Sequence, residues 1–245
     1  MTPTHWILAV LAAAGVGLSK AGLPGVGLFH VVVFAFLFGA RDSTGVVLPM
    51  LLVGDIYAVS VFRQHARWDY IRRMLPPVCL GVILGAVSMR RLDDSTFKPV
   101  VGWIILTLAI MQVIRWQRPD WFGRVPHKPW FAWAIGLLAG VTTMLANAAG
   151  PIIALYSLAV GLPKFEFVGT SAWLFLIVNL FKVPFSVELG LIHRETLWVN
   201  AVLLPAILAG LAGGRWLTTR IPQQWFDRFL LVFAAVAALR LIGVF

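Results

Sequence analysis

Long apolar runs separated by short basic loops constrain this chain more than any other feature. A helix needs about 20 apolar residues to cross the hydrocarbon core of a bilayer, and most of the runs reach about that length. Only 12% of the residues are charged, which is about half the share in a soluble domain. We therefore predict an all-α, polytopic membrane protein surrounded by lipid bilayer. The runs lie at residues 6–39, 43–62, 70–90, 98–116, 130–161, 167–187, 196–217 and 226–245.

The composition also argues against several classes of function. The formal net charge is +10, but the basic residues cluster in short loops, where they set topology and contact anionic headgroups, so we expect no nucleic-acid partner. The single cysteine, Cys79, excludes a disulfide framework. The five histidines are scattered, and HExxH, GxSxG and P-loop motifs are absent. We therefore expect no enzyme activity, no cofactor and no metal site, and any transport must be passive or driven by an ion gradient or the membrane potential.

The two halves of the chain resemble each other. AGVGLSKAGLPG (14–25) aligns with AGVTTMLANAAG (139–150), and Asp55 falls at the place of Asn179. Shared composition can make apolar helices look alike, but Gly and Pro positions that match in register favour duplication. We predict a first transmembrane repeat at 1–116, a cytoplasmic linker at 117–129 and a second repeat at 130–245, an organisation typical of secondary transporters. The further matches are Pro76, Gly81, Gly85 and Phe97 with Pro205, Gly210, Gly214 and Phe226.

The first apolar run of each half is interrupted. Residues 6–39 are too many for one straight crossing, and proline and glycine weaken the helix interior. Each repeat is therefore predicted to be a broken or re-entrant helical hairpin followed by three transmembrane helices. Unwound backbone at that depth must be shielded by protein or face a watery cavity. The residues predicted to form the breaks are Gly22, Pro24, Gly25, Gly150 and Pro151.

The distribution of basic residues indicates that the repeats are inverted. If each hairpin returns to its starting side, one side of the membrane carries twelve loop Lys and Arg residues and the other carries six. If each of the two long runs instead crosses the membrane once, one side carries ten of these basic residues and the other carries eight. The positive-inside rule favours the first arrangement, which places both termini outside and the linker in the cytoplasm.

Polar residues inside the apolar runs predict an anion site. Such residues are rare in lipid and usually functional, and helix N-termini at the breaks attract anions. Two breaks that meet at the midplane would form a pocket in which two lysines add positive charge. The residues predicted to bind the anion are Ser19, Lys20, Thr143, Asn147, Thr170, Ser171, Asn179 and Lys182.

Each of these residues has a simpler alternative role. Lys182 could extend towards the outer headgroups, and Lys20 could cap helix carbonyls. Asn147 could satisfy unwound backbone, while Thr170 and Ser171 could bond back to helix carbonyls. Two roles are open for a further residue, Asp55. It could form an ion pair with a lysine or with Arg63, or it could act as a proton-coupling carboxyl. Six glycines are predicted to permit close helix packing: Gly15, Gly17, Gly81, Gly85, Gly210 and Gly214.

Four segments combine Gly, Pro and polar residues within the apolar runs: GLSKAGLPGVG (17–27), LPMLLVGDIYAV (48–59), AGVTTMLANAAGP (139–151) and FVGTSAWLFLIVNLFKVPF (167–185). These segments resemble the TauE/SafE family, also called the TSUP or sulfite exporter family. The resemblance covers almost the whole chain, and the last segment is the most specific. The chain departs from the family pattern at Leu23, Pro24, Asn147, Ala149, Phe185 and Ser186.

The resemblance implies transport across a bacterial inner membrane of a sulfur-containing anion such as sulfite or an organosulfonate, usually by export. We expect a small anionic substrate that is moved by alternating access at a midplane site between the repeats. Two alternatives are a channel-like facilitator of a small anion or neutral solute, and a membrane-embedded assembly protein. The sequence leaves open whether the protein assembles as a homodimer.

Overall fold

The computed structural model describes residues 2–21, 27–118, 129–217, 232, 235–236 and 238–244. Three of the predicted break residues, Gly22, Pro24 and Gly25, and most of the predicted linker lie outside the described residues. The described helices are α1 (Pro3–Lys20), α2 (Gly27–Phe38), α3 (Asp42–Phe62), α4 (Trp68–Arg91), α5 (Asp94–Gln117), α6 (Pro129–Ala146), α7 (Gly150–Ala159), α8 (Lys164–Glu188) and α9 (Arg194–Leu217). Residues 238–242 are also helical.

Five helical segments in the described part of the chain are long and apolar enough to cross a membrane. Two shorter apolar helices, Gly27–Phe38 and Trp130–Ala146, accompany them. The prediction of an all-helical, multi-pass membrane protein is therefore confirmed, whereas the division into two inverted repeats stays a prediction. The five segments are Asp42–His65, Trp68–Arg91, Asp94–Ile114, Phe165–Glu188 and Arg194–Gly214.

Each of the two interrupted apolar runs forms two helices. The first run divides between α1 and α2, and the second divides between α6 and α7. At 1.5 Å per residue, the 12 residues of α2 extend about 18 Å and the 10 residues of α7 about 15 Å. Neither helix alone crosses a hydrocarbon core of about 30 Å. Asn147, which follows α6, has a φ of 53°, a left-handed conformation that asparagine tolerates better than most residues and that ends the helix.

The main helix contacts connect the two halves of the chain. α1 packs along α9, and α6 packs along α4. At Gly17 an added Cβ would lie 2.3 Å from the Ile207 carbonyl oxygen, and at Gly140 it would lie 2.1 Å from that of Val78. Only glycine permits backbones to approach this closely in a helix pair. The predicted packing role is confirmed in the same way for Gly81 and Gly210, whereas at Gly85 and Gly214 the nearest atoms belong to the side chains of Met144 and Ala21.

Candidate functional site

Residues that flank the two helix breaks line one cavity of about 160 Å³. The end of α1 contributes Ser19 and Lys20, and the interruption between α6 and α7 contributes Asn147. The residues that begin the second helix of each pair, Gly27 and Gly150, also line the cavity, together with Pro151. Two helix N-termini therefore open onto the same space, and each presents the positive end of a helix dipole to it.

A buried carboxylate on α3 joins both sides of this cavity. Asp55 is 0% exposed, and its Oδ1 lies 2.5 Å from the Lys20 ammonium. Its Oδ2 accepts a hydrogen bond of 2.6 Å from the Nδ2 of Asn179 on α8, which is 2% exposed. The ion-pair role considered for Asp55 is therefore present, with Lys20 rather than Arg63 as its partner.

The ammonium of Lys182 faces inward. Lys182 is 1% exposed, and its Nζ donates to the Asn147 Oδ1, to the Thr143 Oγ1 at 3.4 Å and to the Asn179 Oδ1 at 3.5 Å. An ammonium has three protons, so these three acceptors use its donor capacity. The side chain does not extend to the headgroups. The three acceptors line the cavity whereas Lys182 does not, so Lys182 contacts the cavity through them.

Lys182 also orients the side chains of Asn147 and Asn179. A carboxamide has one acceptor oxygen and an NH₂ group with two donors. In both residues the oxygen faces Lys182, while the Nδ2 atoms donate to the Thr44 carbonyl at 2.9 Å and to Asp55. As the simpler alternative predicted, Asn147 provides a hydrogen bond to a backbone group, but this group belongs to α3. Asn147 also accepts a hydrogen bond from a buried lysine.

Ser171 and Thr170 are adjacent in sequence but differ in environment. Ser171 lines the cavity at 8% exposure, and its hydroxyl has no hydrogen-bond partner among the described residues. The Thr170 hydroxyl accepts a 2.9 Å hydrogen bond from the backbone N–H of Arg67, and Thr170 does not line the cavity. The geometry gives Thr170 a packing role between α8 and the start of α4, and its contact with a substrate stays a prediction.

The hydrogen-bonded network has an excess of positive charge. In their ordinary ionised forms Lys20 and Lys182 carry two positive charges, and Asp55 carries one negative charge. Buried charges are costly unless they are paired, and among the described residues this network has one more lysine than carboxylate. The Lys20 ammonium also lies 4.6 Å from the centre of the Phe175 ring, a cation–π contact that holds it at the cavity wall.

A family model described as "Sulfite exporter TauE/SafE" matches residues 7–241, which is almost the whole chain. The chain belongs to the TauE/SafE family. This TauE/SafE protein is accordingly a multi-pass membrane transporter and not an enzyme. Neither the comparison with curated proteins nor that with solved structures found a match.

The cavity of this TauE/SafE protein also includes polar and aromatic residues that the sequence did not single out as site residues. His30 of α2, Gln112 of α5 and Phe175 of α8 all line it. Gln112 had a visible signal, because it is a polar residue within the apolar run 98–116. Phe175 had none, because an aromatic residue in a membrane helix is ordinary.

Proposed function

We propose that this protein is a secondary transporter, acting as an exporter, that moves a small oxyanion by alternating access. The substrate class is sulfite or an organosulfonate, in keeping with the family. The observation that carries the proposal is the unequal number of charged side chains beside the cavity: among the described residues, two lysines face one carboxylate, next to two helix N-termini. An anion that enters this space neutralises the remaining positive charge and completes the network.

Some residues contact the anion, and others position the residues that contact it. Lys20, Ser19 and Ser171 line the cavity, so they offer an ammonium and two hydroxyl donors to the oxyanion. Thr143, Asn147 and Asn179 contribute polar side chains at the same wall, and the helix starts at Gly27 and Gly150 contribute backbone dipoles. Lys182 supplies charge from behind Asn147 and Asn179 and fixes their orientation. Asp55 holds Lys20 until the anion arrives and competes with it for that ammonium.

Alternating access needs two units that move relative to each other around this site. We assign these units to the inverted repeats 1–116 and 130–245, with the midplane of the bilayer at the cavity. The packing of α1 on α9 and of α6 on α4 supports the assignment, because the first helix of each half lies against the other half. The excess of basic loop residues on one side supports a cytoplasmic linker and external termini in a bacterial inner membrane.

A binding screen tests the substrate class. The purified protein is heated with sulfite, sulfate, thiosulfate, sulfoacetate, taurine or matched carboxylates, and the thermal midpoint is recorded. A ligand at 100 times its Kd stabilises the folded state by about 2.7 kcal/mol, so a specific anion gives a clear upward shift. We expect sulfite or a sulfonate to shift the midpoint more than the carboxylates do. No shift with any sulfur oxyanion would count against the proposed substrate.

Flux measurements separate the transporter from the channel alternative. In proteoliposomes, a site that must bind its anion and reorient gives a flux that saturates with anion concentration. An open pore gives a flux that rises without saturation and a steady single-channel current. Saturation supports alternating access, and a steady current contradicts it.

A further inference from the structure

We call the cavity beside Lys20 and Asp55 the central cavity. A second, larger cavity of about 380 Å³ lies away from it. It is formed where α2 ends, where α3 and α5 begin, and by the helical residues near 240. None of its lining residues lines the central cavity. Its charged residues are Arg41, Asp42, Asp94, Lys98 and Arg240. We call this space the peripheral cavity.

Among the residues that the structure describes, two of its three basic side chains lack a carboxylate partner. The Arg41 guanidinium lies 3.6 Å from the Asp94 carboxylate and donates to the Leu92 carbonyl at 3.3 Å. Within the described ranges, neither Lys98 nor Arg240 forms an ion pair. The described lining of the peripheral cavity therefore has one more positive than negative charge, with two basic groups available to bind an anion.

The remainder of the lining is apolar and extends to the outside of the helix bundle. Phe38 and Phe97 form part of the wall, and Phe36 is 53% exposed on the outward surface of α2. The guanidinium of Arg240 lies 5.1 Å from the centre of the Phe36 ring. Long basic side chains near the ends of membrane helices typically reach the boundary between headgroups and hydrocarbon, so Arg240 and the exposed Phe36 ring fit that depth.

We propose that the peripheral cavity binds the phosphodiester of an anionic phospholipid. Lys98 and Arg240 donate to the phosphate oxygens, and Arg41, held by Asp94, completes the basic wall. One acyl chain lies against Phe36, which a free inorganic anion would leave uncovered. The ligand is thus an amphiphile rather than a second copy of the transported anion. Lipid binding at this site does not require the proposed transport function.

Lipid titration of the purified full-length protein tests this site. The probes are short-chain phosphatidylglycerol, the matching phosphatidylcholine and inorganic phosphate, and binding is read by native mass spectrometry. The test variant is the double substitution Lys98→Gln with Arg240→Gln. Its control is Arg90→Gln with Arg194→Gln, which removes the same charge from two helix ends outside the peripheral cavity. All proteins must elute as single monodisperse species, which is expected because the substituted side chains are exposed.

The wild-type and control proteins should bind phosphatidylglycerol with similar affinity and bind phosphatidylcholine less tightly. Since each basic residue near a membrane surface contributes favourably to anionic lipid binding, the test variant should bind phosphatidylglycerol about tenfold or more weakly. Equal affinity in the test and control variants would overturn the proposal. Inorganic phosphate that binds as tightly as phosphatidylglycerol would overturn the assignment to a lipid. Loss of anion flux with lipid binding intact would affect only the proposed function.

Discussion

Asn179 donates a 2.6 Å hydrogen bond to Asp55, although 124 residues separate them. The sequence comparison places these two residues at corresponding positions in the two halves of the chain, and the structure brings them into direct contact. Their bond connects the Lys20–Asp55 ion pair to the Lys182 cluster, so that one continuous polar network crosses between α3 and α8. Two lysines and one carboxylate beside the central cavity therefore belong to one network.

Replacing Asp55 by Asn should strengthen anion binding. The carboxylate competes with the substrate for Lys20, so its removal leaves two uncompensated lysines beside the cavity. The added attraction should tighten sulfite binding by about tenfold or more, given the strength of charge interactions at an effective dielectric of about 20. Isothermal titration of the purified variant measures the affinity, with Asp69→Asn at an exposed ion pair as the control. Affinity equal to or weaker than that of wild type would contradict the competition.

Replacing Lys20 by Gln should reduce stability as well as binding. Removing one partner of a buried ion pair leaves the other charge uncompensated, which typically costs about 3–5 kcal/mol. The double variant Lys20→Gln with Asp55→Asn removes both charges and should recover most of that stability but no anion affinity. Denaturation midpoints and titration measure the two quantities separately. Recovery of anion affinity in the double variant would show that Lys20 contacts no substrate.

Gly54 allows the side chain of Lys20 to lie along α3. A Cβ at this position would be 2.7 Å from the Lys20 Cγ, so Gly54→Ala should displace the lysine from Asp55. We expect anion flux to fall by about tenfold, since a shift of about 1 Å in a positioned group can cost more than that. Gly213→Ala is the matched control, because an added Cβ at Gly213 contacts nothing within 4 Å. Similar flux in both variants would place Lys20 outside the binding site.

Gly140 allows α6 to pack on α4, and its substitution should affect stability. An added Cβ would lie 2.1 Å from the Val78 carbonyl oxygen, which is backbone and cannot move aside easily. Overpacking of this kind costs about 1–3 kcal/mol, so the thermal midpoint of Gly140→Ala should fall well below that of Gly213→Ala. An unchanged midpoint would indicate that the two helices separate readily.

The sequence predicted the helices better than it predicted the roles of the site residues. Apolar runs, together with Gly and Pro interruptions, located the spans and the break at Asn147, because the bilayer restricts backbone to helices of known length. The sequence also identified Lys20, Asp55, Asn179 and Lys182, since polar residues are conspicuous in apolar runs. It could not show that Lys182 lies behind two amides, because that depends on side-chain packing between helices distant in sequence. Thr170 was grouped with Ser171 by adjacency, although neighbouring residues on a helix point in different directions.

Sulfite flux through Lys182→Ala tests most directly whether the buried lysine is needed for transport. Wild-type and variant proteins are reconstituted in equal amounts into liposomes, with Arg194→Gln as the control and Lys182→Met as a second variant that keeps the buried volume. Both Lys182 variants lose the hydrogen bonds that hold Asn147, Thr143 and Asn179 and remove one buried positive charge. We predict saturable sulfite flux in the wild type and the control, and no flux above that of empty liposomes in either Lys182 variant. Wild-type flux in a monodisperse Lys182 variant would contradict the central claim.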